Sequence, residues 1–532
     1  MLLTAQNITY TLPTGDILFQ DVHFTLHKGE KAAIAGNNGT GKSTLLKILA
    51  GREAAYTGTV NRQSTLYEVP QHFGHYNQLS IAQALGIDQQ LDALNAILNG
   101  DTREGLFDIL GDNWDLPERC HQAFEKWGLP PFPLDQPLAA LSGGEKTKVW
   151  LAGIDIFKPE IILLDEPTNH LDARTRQQLY DWVSTTARTL LIVSHDRQLL
   201  ELCNPIWELQ PQGIHAYGGN YTFYEEQKSM ATAALQQRIA HQEKAWKEAK
   251  RQQQQALQRK QQDNARANKN RENAGIPKIL LNTRKQAAED STAKLRQVQQ
   301  EKVGQLQAAL EKTSGTEQVS RLMKGHFAQS SLHKGKVLVK ATGVQYTYPS
   351  GTTLWQTPPD LTLLSGSRLA ITGANGSGKS TFLQLLMGKL LPAAGECIVT
   401  PVRCLYLDQD YTLIDRSKTV LEQAMAFNET LLETAMVKTL LVHFLFEKDS
   451  WDKSCAVLSG GEMLRLSLCS MMMQHQAPDM ILLDEPTNNL DLENIKMLTQ
   501  IFAAYQGTLV VVSHDAVFLQ EIGITTTLAL SS

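Results

Sequence analysis

Two stretches of this chain repeat a spacing suited to holding phosphate. Gly36, Asn37, Asn38, Gly39, Thr40, Gly41, Lys42, Ser43 and Thr44 form one, and Gly373, Ala374, Asn375, Gly376, Ser377, Gly378, Lys379, Ser380 and Thr381 form the other. Both read Gly-x4-Gly-Lys-Ser. Glycines let backbone N–H groups close around phosphate oxygens at a helix N-terminus, whose dipole favours anions. Lys42 and Lys379 then reach the β- and γ-phosphates, and the hydroxyls of Ser43 and Ser380 suit Mg²⁺. An apolar run precedes each loop and a helical pattern follows it, the strand–loop–helix context the motif needs.

Further carboxylates and imidazoles recur at matched places. Ile161-Ile-Leu-Leu-Asp165-Glu166 and Met480-Ile-Leu-Leu-Asp484-Glu485 read as buried strands ending in two acids. Asp165 and Asp484 are expected to hold Mg²⁺, directly or through water. Glu166 and Glu485 are the expected bases that orient or deprotonate an attacking water. His195 and His514 each end a short strand in Ser-His-Asp and read as γ-phosphate sensors. Gln71 and Gln409 suit the Mg²⁺ shell or the attacking water.

Along the chain, these groups belong to an internal repeat. The P-loops are offset by 337 residues, Leu141–Glu145 and Leu458–Glu462 (both LSGGE) by 317, and the Asp-Glu and Ser-His-Asp motifs by 319. Motifs recurring in one order imply a tandem duplication of an α/β domain of about 200 residues. Gln71 to Ser142 spans 71 residues and Gln409 to Ser459 only 50, so the first copy carries 21 extra, expected around Gly111–Pro117 as a surface insertion or a partner contact.

The net charge of −5 seems to argue against nucleic acid, but it is unevenly divided. Residues 238–302 hold 16 Lys/Arg and 7 Asp/Glu, a net of +9, which leaves −14 for the remainder. The six cysteines are scattered with no C-x-x-C pair, which excludes a disulfide scaffold and argues against a zinc ribbon or iron–sulfur cluster. No apolar run approaches the ~18 residues needed to cross a bilayer, and no basic-then-apolar leader opens the chain. The expectation is a reducing, cytoplasmic setting.

The basic segment has its own pattern. Leu235, Ile239, Trp246 and Leu257 sit at near-heptad spacing, predicting a helix of about forty residues that would reach roughly 60 Å. Asn268 to Pro277 contains helix breakers and reads as a loop. Leu295, Val298, Val303, Leu306 and Leu310 then predict a second helix. The result is an antiparallel hairpin with a basic tip at Arg266, Lys269, Arg271 and Lys278. The expected domains are 1–225, 226–335 (the hairpin) and 336–532.

P-loop, LSGGE, LLDEPTN and SHD together resemble the ATP-binding-cassette ATPases. The resemblance implies ATP and Mg²⁺ as ligands and two tandem P-loop α/β cassettes paired head to tail in one monomer. Ser142, Gly143 and Gly144 would face the ATP held by Lys379, and Ser459, Gly460 and Gly461 the ATP held by Lys42. Tyr348 would stack on adenine; Leu12 aligns with it in the first copy, with Tyr10 as the alternative. The segment Tyr217–Lys228 and the helical linker resemble the ABC-F branch, across nearly the whole chain. That implies a ribosome-bound protein, near the tRNA exit site, whose linker tip meets rRNA and tRNA, as a translation factor or an antibiotic-resistance protector. Where the branch often has Arg after LSGGE, this chain has Lys146 and Met463. Two other readings compete: the ATPase subunit of a membrane transporter, which has no need of a basic hairpin, and a DNA-associated ATPase using the same hairpin.

Overall fold

The computed structural model describes residues 1–271, 332–333, 335–349, 351–474 and 476–531. Both copies form the same α/β cassette. In the first, the central sheet runs in the order Leu66–Val69, Ile161–Asp165, Thr189–Val193, Lys31–Ala35, Ile206–Gln210, Gly213–Tyr217. All neighbours are parallel except the last pair. In the second, the order is Cys404–Leu407, Met480–Asp484, Thr508–Val512, Arg368–Thr372, Thr526–Ala529, parallel throughout. Parallel strands are covered on both faces, which is why they read as unbroken apolar runs. Ile161 to Leu164 and Met480 to Leu483 are fully buried. A three-stranded antiparallel sheet accompanies each, centred on Leu3–Thr11 and on Val337–Gln345.

The sheets bring the motifs to one edge. Asp165 pairs in register with Val193, and Asp484 with Val512, so the carboxylates and the Ser-His-Asp segments leave neighbouring strand ends together. The strands before Gln71 and Gln409 flank those carrying Asp165 and Asp484. Helices Lys42–Ala50 and Lys379–Leu386 begin at the P-loop lysines, after Gly41 and Gly378 at φ 93° and 82°. A side chain at Gly41 would meet the Leu18 and Phe19 side chains at 2.7–2.9 Å, so both φ and space demand glycine there.

The extra residues of the first cassette are folded. Helices Asp88–Leu98 and Glu104–Leu110 enclose a small core of Ala93, Leu94 and Leu110, just before the Gly111–Pro117 stretch to which the motif spacing points.

From Glu225 the chain belongs to a second packing unit. The helix that enters it, Tyr221–Arg271, is 51 residues long, about 75 Å at 1.5 Å per residue. It exceeds the forty residues expected and continues through Asn268, correcting the predicted start of the loop. Asn and Lys cost a helix only tenths of a kcal/mol each, about 0.7 at most, whereas the true breakers, Gly275 and Pro277, come later. Those two, Lys278 and the run Leu295–Leu310 lie outside the described residues. Within the helix, the Lys250 ammonium lies 4.9 Å from the centre of the Trp246 ring.

Candidate nucleotide sites

In both P-loops the lysine ammonium is held across the loop. Lys42 Nζ donates to the carbonyls of Gly36 and Asn37 at 2.7 and 2.9 Å, and Lys379 Nζ to those of Gly373 and Ala374 at 2.9 and 3.0 Å. Burial lowers both ammonium pKa values, while the nearby carboxylates oppose it. Such a group gains most from an anion brought beside it.

Beyond each lysine lies a matched carboxylate–imidazole pair. His195 Nε2 sits 3.3 Å from Glu166 Oε1, and His514 Nε2 3.4 Å from Glu485 Oε1. Burial pushes the Glu485 carboxyl up to about 7 and raises Glu166 as well, although Lys42 pulls the latter back. Burial first, and the P-loop lysine second, drive His195 well below its usual range and His514 to about 4. The two imidazoles are therefore neutral, and the two carboxyls are poised near neutrality, where a general base works best. Glu166 and Glu485 also share a left-handed backbone, φ 47° and 48°, pinned by hydrogen bonds from their N–H to Val193 O and Val512 O at 2.8 Å. Non-glycine residues hold that conformation at a cost of about 1–3 kcal/mol, a strain that clusters at functional positions.

Oxygen donors for a cation stand beside the P-loops. The Ser43 hydroxyl stands close enough to Asp165, and that of Ser380 to Asp484, to hold each carboxyl's pKa down against burial. Burial raises both Asp pKa values, Asp165 to about 6, and Asp165 Oδ1 is buried without a hydrogen-bond partner. Among the described residues no cluster of three or more His, Cys, Asp or Glu exists that could hold a metal. A hydroxyl and one carboxylate fit a Mg²⁺ whose remaining ligands are phosphate and water oxygens.

The signature motifs form capping boxes. The Ser142 hydroxyl accepts from Glu145 N–H at 3.3 Å while Glu145 Oε2 accepts from Ser142 N–H at 2.8 Å; Ser459 and Glu462 repeat this at 3.3 and 2.7 Å. These caps start helices Gly143–Phe157 and Gly460–Met472. Ser-x-x-Glu ahead of an apolar run is the sequence signature of such a cap, so LSGGE marks a helix start as well as a nucleotide contact.

The cassettes meet through reciprocal contacts. Asn38 Nδ2 donates to Asn489 O at 2.9 Å, and its counterpart Asn375 Nδ2 donates to His170 O at 2.6 Å. His170 and Asn489 are themselves counterparts, both left-handed at φ 64° and 60°. Asn38 N–H also donates to Asp491 at 3.0 Å. A cavity of about 390 Å³ is lined by Ser142, Gly143 and Gly144 of one cassette and by Lys379, Ser380, Gln409, Asp484, Glu485, His514 and Tyr348 of the other. That is the expected opposition of signature and P-loop, brought together at the second site. Tyr348 stands at its rim, 39% exposed, with its hydroxyl 3.2 Å from Thr381 Oγ1. Tyr10 instead lies along Phe19 against the first core, as its counterpart Tyr346 lies against the second, so it does not take the place of Tyr348.

Sequence reasoning missed three residues here. Arg176, buried, lines the cavity with Glu485 and His514 and donates from Nε to Leu171 O at 3.1 Å. Its counterpart at the shared 319 offset is Ile495, a difference that comparing the two copies exposes. Tyr406 donates to Asp484 Oδ2 at 3.1 Å, and its register counterpart is Glu68.

Residues 19–169 and 357–488, over half the chain, match the family model described as ABC transporter. The chain is 29% identical over 539 residues to ABC transporter F family member 5 of Arabidopsis thaliana, covering 96% of this chain and 72% of that protein. It is 28% identical over 554 residues to ATP-binding protein Uup of Haemophilus influenzae, covering 96% and 77%. Among solved structures, an archaeal ribosome recycling factor in complex with a ribosomal stalk protein aligns with a TM-score of 0.58 at 17% identity, over 98% of this chain and 87% of that one. RNase-L inhibitor aligns with a TM-score of 0.57 at 18% identity, over 97% and 86%. At such identities the structures speak for the twin-cassette fold alone. With both cassettes matched and relatives of the F branch along nearly its full length, the chain belongs to the ATP-binding-cassette family as an ABC-F protein, and it is an ATPase.

Proposed function

We propose that this ATPase binds the ribosome near the tRNA exit site and acts on translation in the cytoplasm, with the basic linker as the element that meets rRNA and tRNA. The observation that carries the reading is the helix Tyr221–Arg271, which leads into a segment of net charge +9 while the remainder of the chain holds −14. A charge so placed suits phosphate contacts made by shape and electrostatics. No described helix is long and apolar enough to cross a membrane.

In this reading each ATP lies between one P-loop and the opposite signature helix. Lys42 and Lys379 hold the phosphates, and the N-termini of the signature helices supply further N–H donors to the γ-phosphate. Ser43, Asp165 and Gln71, and Ser380, Asp484 and Gln409, would hold Mg²⁺, which neutralises phosphate charge when bound. Glu166 and Glu485 accept a proton from the attacking water, with His195 and His514 facing the γ-phosphate. ATP binding closes the cassettes for ribosome engagement, and hydrolysis opens them for release.

Changing both Glu166 and Glu485 to Gln should keep ATP bound and hold the protein on ribosomes in a sedimentation assay. Protein that sediments free of ribosomes with ATP present, or with membranes instead, overturns the reading.

A further inference from the structure

The two metal carboxylates have different neighbours. Glu68 and Tyr406 occupy the same register position, opposite Leu163 and Leu482, on the strands flanking Asp165 and Asp484. Tyr406 donates its hydroxyl to Asp484 Oδ2 at 3.1 Å, and the Lys389 ammonium lies 5.6 Å from its ring. In the first cassette the corresponding pair is Glu68 with Arg52, the counterpart of Lys389. Glu68 is buried and its Oε2 lies 3.1 Å from Arg52 Nε.

Glu68 lies on the strand paired with that of Asp165, two register positions before it, and a carboxylate buried there is costly unless it is held. What holds it reaches further. Arg52 donates from an η-nitrogen to the Tyr76 hydroxyl at 2.5 Å. The Tyr76 ring packs edge-on against Trp150 at 5.0 Å, and Lys146 Nζ donates to Asn77 Oδ1 at 2.8 Å. Trp150 and Lys146 both belong to the first signature helix, Gly143–Phe157. Their counterparts in the second cassette are Ser467 and Met463, which offer neither an aromatic face nor an ammonium.

We propose that Glu68 and Arg52 are positioning residues of the first nucleotide site alone, setting the geometry of Asp165 toward its divalent cation from a support fixed to the first signature helix. That helix contributes its N-terminus to the second site. The first site's cation is therefore mechanically joined to what the second site binds, through Trp150 and Lys146, whose counterparts Ser467 and Met463 cannot make the same contacts. The proposal rests on the reading of Asp165 and Asp484 as cation ligands, but not on the ribosome.

The test uses the full chain with ATP and Mn²⁺ as the probe, read by electron paramagnetic resonance. Asp484→Asn confines strong Mn²⁺ binding to the first site, and Asp165→Asn to the second. The paired change Arg52→Lys/Glu68→Tyr, which imports the second cassette's arrangement, should shift Mn²⁺ affinity about tenfold in the Asp484→Asn chain, the usual size of such outer effects. In the Asp165→Asn chain it should leave the affinity unchanged. Tyr76→Phe, which keeps the packing and removes one hydroxyl, should move the first site in the same direction by less. Unchanged first-site affinity in both variants, or equal shifts at both sites, overturns the proposal. If Asp165→Asn and Asp484→Asn leave Mn²⁺ binding intact, the ligand reading itself falls and takes the proposal with it.

Discussion

At the scale of single residues, the pairing of a raised carboxyl with a neutral imidazole sets what each site needs. Burial raises the Glu485 carboxyl and lowers the His514 imidazole, and the Lys379 ammonium beside them deepens the imidazole's shift while opposing the carboxyl's. Arg176 adds a further cation to this site from the other cassette, and Ile495 offers none in return. Replacing Arg176 with Ile should lower hydrolysis at the second site, measured in a Glu166→Gln chain, by about ten- to a hundredfold, the equivalent of one charge-assisted hydrogen bond of about 1.5–3 kcal/mol. Hydrolysis at the first site, measured in a Glu485→Gln chain, should hold. The same cavity makes glycine obligatory at one place. A Cβ on Gly144 would stand 2.8 Å from His170 O, whereas one on Gly143 would meet the movable His170 ring at 3.3 Å. Gly144→Ala should therefore weaken ATP binding at the second site, followed with a fluorescent nucleotide, and Gly143→Ala should weaken it less.

At the scale of elements, the capping boxes decide where the signature helices begin and hence where their N–H groups point. Ser142→Ala removes one cap and should cost about 1 kcal/mol of stability, seen as a lowered Tm of the first cassette. Much at this scale is legible in the sequence. Buried parallel strands announce themselves as runs such as Ile161-Ile-Leu-Leu, and the P-loop glycines fix a turn that few other residues permit. The extra helices of the first cassette are not legible. Asp88–Leu98 and Glu104–Leu110 bury only a few side chains against each other, and their existence depends on a packing partner that no local pattern reveals. The end of the long linker helix escapes prediction for the opposite reason: polar residues that read as a loop are adequate helix formers once the helix is under way. Arg176, Glu68 and Tyr406 stay hidden because their chemistry comes from what lies across a strand or across the cassette boundary, which spacing along one chain cannot encode.

At the scale of the whole molecule, the duplication gives contacts that come in pairs, and the pairs are not identical. Asn38 and Asn375 make the same hydrogen bond in opposite directions, so removing either side chain should weaken closure from one side only. Asn375→Ala should cost nucleotide affinity at the second site and Asn38→Ala at the first. For the linker, neutralising Lys244, Lys247, Lys250 and Arg251 should flatten the salt dependence of ribosome binding, with the slope falling by about 0.7–0.9 for each phosphate that is no longer neutralised. An unchanged slope would place the RNA contact elsewhere. One ion pair stands apart from both nucleotide sites. Arg197, buried, donates to Glu521 of the other cassette at 2.6 Å, and neither residue lines the ATP cavity. A pair that needs no phosphate is expected to hold when nucleotide leaves. The two halves would then keep one fixed fulcrum while their nucleotide-bearing edges part, and each ATP cycle would be the swing of a lever instead of the separation of two bodies.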